Sequence, residues 1–155
     1  MRLHPLLRDP RHFQIAVLSA LLVYGVVGLR FDVTPGRVVL TLGAALVVQW
    51  VMTRAVGLVR FEPRSALISG LSLCLLLRTT SVGIVLAAVA LTIGSKFLIR
   101  ARGKHVFNPT NVGLALTLLA FDGVWVSPGQ WGSAAAFAFG AACLGALVVW
   151  RAERS

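Results

Sequence analysis

The sequence predicts an all-α polytopic membrane protein with about six transmembrane segments, two of them short or discontinuous, near residues 66–77 and 109–121. Three observations carry this. Apolar residues make up 57% of the chain and the mean hydropathy is +0.85, beyond the roughly 45–50% apolar content of soluble domains. The apolar residues fall into separate runs divided by short connections rich in charge, Pro and Gly. Counted along that scheme, 12 of the 15 Lys and Arg residues fall on one side of the membrane and 3 on the other, the asymmetry that sets topology. It places both termini and the 96–111 connection in the cytoplasm. It also requires both short elements to cross, together with irregular backbone buried in protein.

Positions 1–12 form a cytoplasmic interfacial N-terminus, with Arg2, Arg8 and Arg11 around Pro5 and Pro10. A single transmembrane domain follows over 13–150, and 151–155 is a cytoplasmic tail. The first run, 13–29, is at the lower end of the ~17–25 residues that cross a bilayer. Its flank lacks a small-residue cleavage site, so it is read as a retained span. A turn with Asp32 and Pro35-Gly36 leads to the second run, 38–59, in which Arg54 is near enough to the end to snorkel. The basic connection 60–64 precedes 66–77, Ala-Leu-Ile-Ser-Gly-Leu-Ser-Leu-Cys-Leu-Leu-Leu. Those residues give only ~18 Å of helix against a ~30 Å hydrocarbon core. Ser69-Gly70 and Ser72 suit either close helix packing or a buried polar site. Residues 81–99 make a full span and 112–121 a second short one ending at Asp122-Gly123. Trp125, Pro128-Gly129 and Trp131 suit the opposite interface, and the last span, 132–150, is lined with Ala and Gly for close packing.

The connection from Lys96 to Gly113 organises the rest. It is basic, and it closes on Asn108-Pro109-Thr110-Asn111, a helix N-terminus by its chemistry. Asn is a preferred N-cap, and Pro fits the first turn because its missing N–H would have had no intrahelical partner. Such an end favours an anionic or carbonyl-bearing ligand; it is equally a well-capped helix behind a cytoplasmic loop.

Several function classes are excluded. No nucleophile–base pair, paired carboxylates, metal-ligand cluster or phosphate loop can be assembled from the sequence. The five acidic residues lie at or outside run ends, which removes an intramembrane carboxylate relay. Net charge +10 reflects topology, and without an aromatic and basic platform nucleic-acid binding is not expected. Cys74 and Cys143 sit in apolar runs too far apart for zinc-ligand spacing, and they read as packing residues. What remains is a pair of short helices with polar leads, the arrangement by which discontinuous helices aim their termini at a central ligand.

Lys96, Gly103, Phe107-Asn108-Pro109 and Gly113 resemble, without gaps, the Lys-x6-Gly-x3-Phe-Asn-Pro-x3-Gly pattern of the RnfD/NqrB family, membrane subunits of Rnf-type electron transport complexes and of the sodium-translocating NADH:quinone oxidoreductase. Upstream, Ser65-Ala66-Leu67-Ile68-Ser69-Gly70-Leu71 is similar to that family's Ser-x-Ile-Thr-Gly-Leu segment. The resemblance covers roughly residues 60–115. It implies one half of a fold of two inverted halves that carries flavin, FMN or riboflavin, and passes electrons within a larger complex in the bacterial inner membrane. By the same resemblance this chain is the N-terminal half. Its partners would be other redox subunits, or a second half or copy covering its open face. Arg100-Ala101 and Lys104-His105-Val106 stand where the family has a Gly-Gly pair and a Gln-Asn-Pro. The Ser/Thr-Gly-Ala-Thr tetrad whose last Thr bears covalent FMN does not occur in these residues.

On this reading Ser69, Gly70, Lys104, Asn108, Pro109, Thr110 and Asn111 line a flavin or quinone pocket. Lys104 and Arg102 would attract a phosphate or a reduced-flavin anion, unless their charge serves topology alone. The Asn108 and Asn111 amides would bond ring carbonyls or cap the helix. The chain carries no self-contained catalytic site, so any oxidoreductase activity would belong to the complex. Half of an inverted-repeat transporter or channel for small solutes, and a non-catalytic membrane scaffold, are the alternative expectations.

Overall fold

A computed structural model describes residues 9–101, 104–126 and 135–153. These are mostly helical, with six helices in chain order: α1 (Pro10–Val27), α2 (Pro35–Ala55), α3 (Pro63–Leu76), α4 (Val82–Leu98), α5 (Pro109–Ala120) and α6 (Ala135–Glu153). Among the described residues, α1 and α2 are long and apolar enough to cross a membrane, whereas α3, α4 and α5 are apolar but shorter.

Proline sets the starts. Pro10, Pro35, Pro63 and Pro109 each occupy the first turn of a helix. The residue before three of them closes the turn from its side chain: Asp9 accepts from the Arg11 N–H, Thr34 from that of Arg37 and Asn108 from that of Thr110. Three of these helices therefore begin earlier than the apolar runs, because Pro10, Pro35 and Pro63 belong to helices and not to the connections between them. Glu62, ahead of α3, makes no cap bond. Its carboxylate instead meets Arg11 at 2.9 Å, Arg60 at 2.9 Å and Arg64 at 3.7 Å, and Arg64 also binds Asp9 at 2.6 Å. This network pins the start of α1 to the start of α3.

The fold is not purely helical, and α3 is its centre. That helix packs on α1, α2, α4 and α5. On one side Ala66 and Leu73 join Ala45, Val85, Ala88, Val89, Ile93 and Leu114; on the other Leu71, Cys74 and Leu75 join Leu22, Phe31 and Val33. After Leu76 the chain becomes extended as β1 (Leu77–Thr79), which pairs antiparallel with β4 (Val124–Val126), placing Arg78 opposite Trp125. A second ribbon pairs β2 (Arg100–Ala101) with β3 (Lys104–His105). The sequence predicts an interfacial turn over 124–131; its first three residues are instead a ladder partner, and 127–131 lie outside the described residues.

Arg78, expected in a connection, is 4% exposed. Its guanidinium donates to the carbonyls of Cys74 at 3.0 Å, Leu77 at 2.8 Å and Leu75 at 3.2 Å. It also lies 5.3 Å from the Phe31 ring centroid. The last carbonyls of a helix have no intrahelical partner and carry the negative end of its dipole, so Arg78 is the C-terminal cap of α3. Arg37 donates to the carbonyls of Thr79 and Thr80 just beyond.

The outward surfaces of the helices are apolar. Val23, Val27, Val39, Val47 and Leu119 are all more than half exposed. Polar residues of α2, by contrast, turn inward: Thr41, Gln49 and Thr53 are buried along one face with Ala45.

Candidate ligand cavity

Three helix ends meet on the side opposite the β1–β4 ribbon. Helix α4 is antiparallel to α3 and brings Lys96, in its last turn, against the first turn of α3. The Lys96 ammonium donates to the Ser65 carbonyl at 2.8 Å and contacts Ser65 Oγ at 3.2 Å, and the residue is 9% exposed. Helix α5 then begins beside it. Asn108 is extended, at φ −60° and ψ 119°, and its Oδ1 accepts from the Thr110 N–H at 2.9 Å.

Between these ends lies a cavity of about 250 Å³. Arg11 and Gln14 of α1, Ser65, Ile68, Ser69 and Ser72 of α3, Lys96 of α4, and Asn108, Pro109 and Thr110 at the start of α5 line it. Ser65, Ser69 and Ser72 recur at the spacing that stacks side chains on one face of a helix. The hydroxyls of Ser69 and Ser72 donate to the carbonyls of Ser65 and Ile68 at 3.1 and 2.9 Å, which leaves their lone pairs available as acceptors. The lining thus offers two cations, three serines, a threonine and two amides around a small void. It holds and orients a polar ligand; it contains no nucleophile–base pair. Among the described residues there is also no group of three His, Cys, Asp or Glu able to hold a metal.

Of the residues singled out from sequence, Ser69, Asn108, Pro109 and Thr110 come together here although two different segments supply them. Gly70 is elsewhere. It faces α2, where an added Cβ would stand 2.9 Å from Leu42 Cδ2 and 3.4 Å from Ala45 Cβ, so its role is close packing. Asn111 is exposed on α5 and outside the lining. Lys104 lies in β3 opposite Ala101, and Arg102 lies outside the described residues. Sequence reasoning missed Lys96, Ser65, Arg11 and Gln14 as lining residues, whereas Ser72, which the sequence leaves between close packing and a buried polar site, lines the cavity. The serine periodicity and the first position of the 96–113 pattern were available signals for Ser65 and Lys96. Arg11 and Gln14 arrive from a distant helix and had none.

Helix α5 is held where it is by its packing on α4. Gly113 abuts Thr92, such that an added Cβ would meet Thr92 Cβ at 2.7 Å and Thr92 Cα at 2.8 Å. Compared with known proteins, the chain matches no family model, no curated protein and no solved structure.

Proposed function

We propose that this chain is a polytopic membrane subunit, or the N-terminal half of one, in a flavin-dependent electron transport complex of the RnfD/NqrB type. On this reading it supplies part of a flavin or quinone site. One observation carries the proposal: the two sequence segments that resemble that family, about 40 residues apart, contribute Ser69 and Asn108-Pro109-Thr110 to a single cavity. At about 250 Å³ the cavity falls below the ~300–1,000 Å³ of sites that enclose a drug-sized ligand, so this half provides one wall and another half, copy or subunit the remainder. Flavin, when bound, supplies one- and two-electron transfer. The chain's own groups bind and orient: hydroxyls and amides for ring carbonyls, cations for an anionic group.

The membrane part of the proposal is supported by two helices of spanning length and by the apolar outward faces. Both termini would be cytoplasmic in a bacterial inner membrane, following the Lys and Arg asymmetry. The cavity would then open toward the cytoplasm, because the N-terminal ends of α1, α3 and α5 form it.

The test is to co-express the full chain with its genomic neighbours, purify it in mild detergent and record the absorption spectrum. Flavin that co-purifies and is depleted in Asn108→Ala supports the proposal; a preparation that assembles with its partners yet carries no flavin or quinone overturns it. A second reading, half of a small-solute transporter, is favoured by the two short helices that continue into an antiparallel ribbon whose β1 strand is buried, as broken helices in transporters continue into irregular backbone. Urea flux into liposomes that is absent in Asn108→Ala would select that reading instead.

A further inference from the structure

We propose that the cavity between α3 and α5 recognises a phosphate group, with Lys96 supplying the charge and Thr110 and Ser65 the hydrogen bonds. The proposal deepens the reading above, because it concerns the same cavity and names the chemistry it takes.

Charge is the first ground. Lys96 is 9% exposed, and its partners, the Ser65 carbonyl and hydroxyl, are neutral. An ammonium has three donors, so one N–H is left over. A buried charge is costly unless it is paired, and among the described residues no carboxylate pairs with it. Asp9 is taken by Arg64 and Glu62 by Arg11, Arg60 and Arg64. Asp32 and Asp122 follow the C-terminal ends of α1 and α5, whose N-terminal ends line the cavity; α5, at 12 residues, sets Asp122 ~18 Å away. Glu153 closes α6, which contributes nothing to the lining. In the lining itself the charged residues are Arg11 and Lys96, with no carboxylate among them.

The second ground is independent of charge. Thr110 lines the cavity and is 4% exposed, yet among the described residues nothing pairs with its hydroxyl. The buried side-chain atoms without a partner among the described residues are Gln49 Oε1 and Thr92 Oγ1, so the unpaired Thr110 hydroxyl is one that solvent in the cavity reaches and that a ligand there can engage. An oxyanion with several acceptor oxygens satisfies the spare Lys96 N–H and the Thr110 hydroxyl together, through charge-assisted bonds. Size agrees. At ~30 Å³ for each water, 250 Å³ is the space of about eight waters, ample for a phosphate and its nearest hydration.

The phosphate could belong to a soluble compound or to a lipid headgroup, and the two arms of the experiment separate these. In the first, the full chain in phosphate-free maltoside detergent is titrated with inorganic phosphate against chloride of matched ionic strength, followed by calorimetry and by thermal unfolding. In the second, the protein is drawn from nanodiscs containing phosphatidylglycerol, and retained lipid is counted by native mass spectrometry. We expect saturable binding in one arm, lost in Lys96→Gln, kept in Lys96→Arg and weakened about tenfold in Thr110→Val, equivalent to ~1.4 kcal/mol. Binding of inorganic phosphate assigns a soluble source, and lipid retention alone a headgroup. Should Lys96→Gln fail to fold, Thr110→Val and the mouth variant Arg11→Gln decide. Phosphate and lipid responses that are both absent from the wild type, or unchanged in Thr110→Val and Arg11→Gln, overturn the proposal. Neither arm uses flavin, so a flavin-free protein that binds phosphate refutes the redox reading and leaves this one standing.

Discussion

Replacing Gly113 by Ala tests whether the packing of α5 on α4 positions the cavity. The new methyl would overlap Thr92 Oγ1 and sit 2.7 Å from Thr92 Cβ and 2.8 Å from Thr92 Cα. To bring the methyl out to 3.4 Å from the Thr92 backbone, the helices must part by about 0.6 Å, and no side-chain rotation can substitute for that movement. Overpacking of this kind costs ~1–3 kcal/mol, and two backbone-proximal atoms put the cost in the upper half of that range. Alanine is also a better helix former than glycine by ~1 kcal/mol, which must be subtracted. Gly94, in the neighbouring α4, provides the control, since a Cβ there meets nothing within 4 Å. Gly94→Ala reports the propensity gain by itself, and the difference between the two variants reports the overpacking. Unfolding in mixed micelles followed by circular dichroism should place Gly113→Ala about 2–3 kcal/mol below Gly94→Ala. Adding Thr92→Ala removes the overlapping hydroxyl and should recover part of the loss, and Thr92→Gly should recover more because it also removes the Cβ, while the backbone contact remains. Equal stability of Gly113→Ala and Gly94→Ala would refute the reasoning.

Other outcomes follow from single interactions. Arg78→Met strips three buried carbonyls of their donors and should cost about 3 kcal/mol in the same unfolding assay; Arg78→Lys should recover only part, because an ammonium lacks the guanidinium fork. Asn108→Ala should lose ~1 kcal/mol as an N-cap, and Asn108→Asp should keep most of it. The Asp9 carboxyl is held below its ordinary pKa first by the Arg11 backbone N–H, against an opposing effect of desolvation, and then by the charges of Arg64, Arg11 and His12. A depressed folded pKa means stability present above the ordinary value near ~3.9 and lost as pH falls through the lower folded value. Acid titration of the wild type should therefore show a loss of stability beginning below about pH 4 that is reduced in Asp9→Asn. Reporter fusions at residues 1 and 155 should both read cytoplasmic, and a periplasmic C-terminus would refute the charge-derived topology.

The helices were legible because each is a run of apolar residues longer than any soluble loop tolerates. Their starts are not legible at Pro10, Pro35 and Pro63, although at Pro109 the same chemistry marks the first turn of α5. The difference was context: Asn108 made the cap obvious, whereas the other prolines sat among charges that looked like connection. Short length drew attention to α3 and α5 and so to Ser69, Asn108 and Thr110. Lys96 escaped because a lysine at the end of an apolar run is normally read as snorkelling outward, and only the fold shows it turned inward onto Ser65. The β1–β4 pairing had no local signal at all. Leu77–Thr79 continues a leucine run and Val124–Val126 adjoins a turn, and nothing in either segment names the other.

That ribbon is what makes two short helices workable. At 14 and 12 residues, α3 and α5 reach ~21 and ~18 Å, and each must hand over to extended backbone whose N–H and C=O groups would be ruinous in an apolar setting if unpaired. The two handovers solve the problem for each other, since Leu77, Arg78 and Thr79 pair with Val126, Trp125 and Val124. What the ladder leaves over, at the end of α3 and at Thr79 and Thr80, is taken by the guanidiniums of Arg78 and Arg37. Joining the C-terminal ends of α3 and α5 through a ladder also fixes how far apart their N-terminal ends stand, and those ends are the walls that carry Ser69 and Thr110. The spacing of the cavity is thus set at both ends of the same two helices, by strand pairing on one side and by the seating of Gly113 against Thr92 nearer the other.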